Sequence, residues 1–181
     1  MRRVTTALVA FLCLGLGICI GLGVNAEDKG TQDNSPQDAS AQLVDTFENV
    51  CLETLPLLVG AVERLKKLGF ELTPAGDDGM YELWSEKLGL GGHLHLAKGE
   101  RKPSCGFLTE NVTRQEVGPL VEAVLVKWLG TAPERWKIGD PHAIGWQVPA
   151  GGNTLNISVA TSLSDDPAKG ASVTVEEVDR Q

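Results

Sequence analysis

Apolar side chains recur at Leu43, Phe47, Val50 and Cys51, with Thr54 on the same stripe, the i, i+4, i+7, i+8 spacing of one helix face. Pro56 interrupts the stripe, because a proline inside a helix removes a backbone donor and biases the preceding residue, Leu55, toward extended backbone. A second stripe of Leu58, Ala61, Val62, Leu65 and Leu68 follows. Glu63 and Lys67 are spaced for an i, i+4 pair, and Gly69 suits a helix C-cap. The pattern predicts two short helices, or one kinked helix, with Cys51 on the apolar face.

The period then shortens. Residues 70–73 form a short strand signal, and Gly76-Asp77-Asp78-Gly79 is a turn. Runs at 80–88, 92–98 and 104–110 are separated by Gly and Pro clusters and read as three strands. In the last run Cys105 and Phe107 share a face, which points Cys105 at the helix that carries Cys51. Thr113-Arg114-Gln115-Glu116 is a capping-box signature ahead of Val117, Leu120, Val121, Val124, Leu125, Trp128 and Leu129, and Gly130 closes that helix. Pro119 sits inside it, so a start at Gly118-Pro119, with proline at the first helical position, is the alternative.

After a turn-rich stretch at 131–141, Ile144, Trp146 and Val148 alternate with polar or small residues. Leu155, Ile157, Val159, Thr161 and Leu163 do the same, and Val173 and Val175 follow a Ser164-Asp165-Asp166-Pro167 turn. Strict alternation means one buried and one wet face, the habit of an antiparallel sheet. The expected fold is α+β, with one antiparallel sheet of about six strands and the helices packed on one face. Its order is helix–strands–helix–strands, within a single domain at 40–181.

The N-terminus changes the picture by adding an address. Arg2 and Arg3 precede an apolar run from about Ala7 to Gly23, and Val24-Asn25-Ala26 offers small residues for a signal peptidase, so residues 1–26 read as a signal peptide. An uncleaved anchor is the alternative, since residues 4–24 are long enough to span a thinned bilayer. Cys13 follows Leu12 and Cys19 follows Ile18, neither of them the small residue a lipobox needs. Residues 27–39 are polar, and a disordered linker is expected there. All 24 acidic residues lie after Ala26 while two of the 16 basic ones lie before it, so residues 27–181 carry a net −10 against −8 for the whole chain. That balance argues against a nucleic-acid or anionic-membrane partner, which calls for clustered Lys and Arg.

Cleavage after Ala26 leaves two cysteines, Cys51 and Cys105. In an oxidising compartment an even pair is most simply one disulfide, and two buried thiols are the alternative. Neither cysteine stands in a C-x-x-C or beside a histidine.

Chemistry-bearing patterns are few. Gly92-His93-Leu94-His95 on a strand would put both imidazoles on one face, opposite Leu94 and Leu96. His93 and His95 are therefore the candidate metal ligands. His142, Asp77, Asp78, Glu82 or Glu86 would be the source of the third ligand that a catalytic zinc usually takes. Two histidines on the wet face of a strand is the plainer reading. No H-E-x-x-H, G-x-S-x-G, P-loop or G-x-G-x-x-G pattern occurs, and Gly89-Leu90-Gly91-Gly92 reads as a hairpin turn instead of a phosphate cradle. Trp128 and Trp146, on apolar stripes, are expected to be buried, and Trp136 is the tryptophan expected to make surface contact. Asn111-Val112-Thr113 and Asn156-Ile157-Ser158 match the N-glycosylation sequon.

The segment Phe47-Glu48-Asn49-Val50-Cys51-Leu52-Glu53-Thr54-Leu55-Pro56, followed by Ala61, Leu65, Gly69-Phe70 and a second cysteine on a strand, resembles a group of small exported proteins of alphaproteobacteria. The likeness covers about 47–107. It implies a periplasmic location and a Cys51–Cys105 pair, and it carries no catalytic residues. The expectation is thus a periplasmic or secreted, non-enzymatic binding or accessory module. Its partner would be a protein or small ligand, with no cofactor, no nucleic acid and no membrane contact after signal cleavage. A metal-binding protein or metal-dependent hydrolase built on His93 and His95 is the alternative.

Overall fold

A computed structural model describes residues 36–76, 79–98, 101–150, 152–161 and 169–178, all within the unit Asn34–Gln181. The expected signal peptide, residues 27–35 of the expected linker and the turn at 164–167 lie outside the described residues.

Helix α1 (Pro36–Val50) carries the first apolar stripe, and Leu43, Phe47, Val50 and the following Cys51 are fully buried. A 3-10 turn (Leu52–Thr54) continues from it, held by the Thr54 hydroxyl donating to the Val50 carbonyl. The Leu55–Pro56 peptide is cis. Pro56 lies between two separate helices. The second, α2 (Ala61–Leu68), is shorter than its stripe, because Leu58 enters the core from the preceding loop with φ +52°. Gly69 ends α2 in the left-handed conformation, its N–H donating to the Leu65 and Lys66 carbonyls.

Four strands follow: β1 (Glu71–Pro74), β2 (Met80–Ser85), β3 (Leu90–His95) and β4 (Ser104–Thr109). Helix α3 (Arg114–Leu129) comes next, then β5 (Glu134–Trp136), β6 (Ala143–Ala150), β7 (Asn153–Thr161) and β8 (Ala171–Val178). The expected helix–strands–helix–strands order is thus corrected to two helices and a 3-10 turn, four strands, one helix, four strands. The capping box settles the start of α3. Thr113 Oγ1 accepts from the Glu116 N–H at 3.4 Å, and the Glu116 carboxylate accepts from the Thr113 N–H at 2.7 Å. Pro119 stays inside the helix; Gly118 before it has no Cβ to clash, and a Cβ there would press to 3.2 Å of Ile144.

The strands form one fully antiparallel sheet in the spatial order β1-β2-β3-β4-β8-β7-β6-β5. The expected count of about six strands is corrected to eight. Most of the difference is β5, three residues in a stretch read as turn, paired only with β6. The succession on one side of the β4–β8 seam mirrors that on the other, so each half is a helical segment followed by a four-strand meander. The glycine run is also corrected: the turn lies at 86–89, and Gly91 and Gly92 belong to β3.

All three helices lie against one face. Across that face Leu94, Cys105, Val175, Ile157 and Trp146 stand side by side on five adjacent strands, each fully buried. Helix α1 packs on β4 and α3, α3 packs on β7 and β8, and α2 sits by β1. Cys51 at the end of α1 and Cys105 on β4 are at disulfide-bonding distance, with Cα atoms 5.7 Å apart. Among the described residues no helix is long and apolar enough to cross a membrane.

Candidate functional site

Among the described residues the other face of the sheet carries no helix. Register defines its composition, since residues paired across neighbouring strands share a face. One row crosses the sheet as Trp84, Gly91, Leu108, Ser172, Ala160 and Ala143. The next runs Glu82, His93, Gly106, Thr174, Ser158, Gly145 and Trp136. A third runs Met80, His95, Ser104, Glu176, Asn156 and Gln147.

Small residues make the middle of the face shallow and large apolar ones raise its two ends. At one end Trp84 is 52 % exposed and Leu108 41 %, and their side chains converge over Gly91, lying 3.5 and 3.4 Å from where its Cβ would be. Met80, 38 % exposed, lies further along β2 on the same face. At the other end Trp136 and Ile138 lean over Gly145. Trp136 is half-buried by that contact. Trp146 is buried as expected, with the Arg135 guanidinium 5.3 Å above its ring centre. Trp128 corrects the expectation: it is 43 % exposed and lines a small cavity of about 290 Å³ with Leu52, Val124 and Lys127.

His93 and His95 stand on β3, between the strands that carry Trp84 and Leu108. The His93 ring lies over Gly106, where an added Cβ would come within 2.8 Å of His93 Cε1 and 2.7 Å of Thr174 Oγ1. Burial holds the His93 imidazole below its ordinary pKa, and neighbouring His95 acts in the same direction. His95 Nε2 is buried without a hydrogen-bond partner. Among the described residues no group of three His, Cys, Asp or Glu is placed to hold a metal ion. His142 is four strands from His93, roughly 19 Å at the usual strand spacing. Its N–H donates to the Asp140 carboxylate at 2.7 Å. Glu82 is paired with His93 across β2–β3 but is exposed, and Asp77 and Asp78 lie outside the described residues.

The sequence reading put the two histidines together and overlooked Trp84 and Leu108. The signal was available for Trp84, which shares the parity of Glu82 and Glu86 in a strand whose other face holds Leu83 and Ser85. Of the two sequons, Asn156 is buried on β7 and accepts from Gln147 at 3.2 Å, while Asn111 is exposed. No family model, no curated protein and no solved structure matches the chain.

Proposed function

We propose that this is a non-enzymatic binding or accessory module of an exported, oxidising compartment, and that its contact surface for a protein partner is the open face of the sheet. The observation that carries this reading is the one-sided helix layer, which leaves Trp84, Leu108 and Met80 exposed on a face eight strands wide. An exposed apolar cluster rimmed by polar residues is a common mark of an interaction surface. The Cys51–Cys105 pair at bonding distance supports the compartment. Affinity capture from the native cell envelope with residues 27–181, followed by a binding isotherm with the purified captured protein, tests it. A saturable stoichiometric complex is expected. Turnover in a broad hydrolase screen, abolished by changing one polar residue, would overturn the reading.

A second reading is favoured by one observation: the buried, unpartnered Nε2 of His95 stands beside His93, whose imidazole burial keeps neutral. Neutral imidazoles are metal ligands. On this reading the open face holds a zinc, copper or nickel ion on His93 and His95. Metal analysis of protein purified without an affinity tag decides it, and substoichiometric amounts of all three metals dispose of it.

A further inference from the structure

On the helix layer, away from the open sheet face, a groove of about 680 Å³ runs between α1 and α2 and reaches the β2–β3 turn. Its size is within the usual range for small-molecule sites. One wall is the outer stripe of α1, which presents Ala41 and Asp45; the other is α2, which presents Arg64, Lys67 and Leu68, and Leu88 closes the side toward the sheet.

The charges on these walls are not equivalent. Arg64 is already engaged, its Nη1 donating to the Glu53 carboxylate and to the Asn49 carbonyl. Lys67 is spaced for a pair with Glu63, yet no such ion pair forms. Asp45 and Lys67 face the same groove and do not pair with each other within 4.0 Å, nor does either have another ion-pair partner among the described residues. Asp38 also lines the α1 wall and has an interaction of its own, so the groove offers the Asp45 carboxylate and the Lys67 ammonium, which do not pair with each other, alongside apolar surface from Ala41, Leu68 and Leu88.

We infer that the α1–α2 groove binds a short zwitterionic peptide carrying an apolar side chain, its ammonium on Asp45 and its carboxylate on Lys67. A free amino acid carries both charges on one Cα. Each added peptide unit moves them apart by roughly 3.8 Å, which suits two protein charges that do not reach each other. The apolar side chain displaces water from Leu68 and Leu88. The groove is on the layer opposite the open face, so failure of this inference leaves the reading of that face standing.

Isothermal titration of residues 27–181 with leucyl-leucine tests it, using Asp45→Asn and Lys67→Gln and two blocked ligands, the N-acetylated and the C-amidated dipeptide. Saturable one-to-one binding is expected, weakened by about tenfold or more in each variant and for each blocked ligand, the scale of one lost charge-assisted contact. Both residues are exposed, so the variants are expected to keep the parent's melting temperature. The blocked ligands remain a test on the unaltered protein even if they do not. Absence of saturable heat, or equal binding by the blocked dipeptides or by both variants, overturns the inference.

Discussion

His93 shows how the fold acts on a single residue. Burial and the adjacent His95 lower its pKa from 6.5, while the unfolded chain leaves it at its ordinary value. Below that value the unfolded state takes up a proton before the folded state does, so stability falls as pH drops from about 6.5 through the folded pKa and levels off beneath it. Glu82 on β2 and Thr174 on β8 are the polar groups in its row across the strands, and His95 is its neighbour two residues along β3. Urea midpoints between pH 7.5 and 5 are expected to decline in the parent and to decline less in His93→Gln; equal slopes would contradict this account. Gly106 is the second residue with a defined consequence. Its Cβ would meet His93, Thr174 Oγ1 and, at 3.0 Å, the Val173 carbonyl, so Gly106→Ala is expected to cost about 1–3 kcal/mol in denaturant unfolding. Gly139→Ala, with nothing within 4 Å, is the near-neutral control. Alternation in the sequence placed His93 and His95 on one face. The room above Gly106 was not legible, because it depends on the β3–β4–β8 register, which joins residues far apart in the chain.

At the scale of elements, the α3 capping box was legible from four residues, and its energetic role follows. Thr113→Ala removes the acceptor for the Glu116 N–H and is expected to cost about 1 kcal/mol, read as a lowered melting temperature. Thr113→Ser, which keeps the hydroxyl, should recover most of it. The same contacts hold the Glu116 carboxyl below its ordinary pKa, the Thr113 N–H first and its hydroxyl second. That contribution is present above the ordinary glutamate value and disappears as pH falls through the lowered one. Elements with little pattern of their own were not legible. Strand β5 has three residues and exists through its pairing with β6. Gly91 and Gly92 look like a turn, yet they belong to β3, where the space a Cβ would take is crowded by Trp84 and Leu108 at Gly91 and by the Gly106 carbonyl and the Phe107 ring at Gly92. The α3 stripe was also wider in sequence than in space: Val117, Val121 and Leu125 are fully buried, whereas Trp128, a turn later, is partly exposed beside Leu52 and Val124.

Over the whole molecule, the Cys51–Cys105 pair ties the helix layer to the middle of the sheet and closes a loop with a sequence separation of 54. The chain-entropy estimate for such a loop is about 4 kcal/mol. Residues 27–181 with both cysteines changed to alanine are therefore expected to lose stability on that scale, and an unchanged denaturant midpoint would contradict a bonded pair. The α+β class, the antiparallel sheet and the one-sided helices were legible from periodicity. The mirrored strand order was not, because it rests on the β4–β8 seam, and no local pattern announces a pairing between the ends of two separate meanders. That seam produces the broad open face on which the functional reading depends. The most direct test compares partner affinity for two charge insertions at exposed leucines. Leu108→Lys alters the open face, and Leu57→Lys alters a 63 % exposed position in the loop between the 3-10 turn and α2. Leu108→Lys is expected to weaken binding of the captured partner about tenfold or more, and Leu57→Lys to leave it unchanged. The reverse result, or equal binding by both, would contradict the assignment of the sheet face as the contact surface.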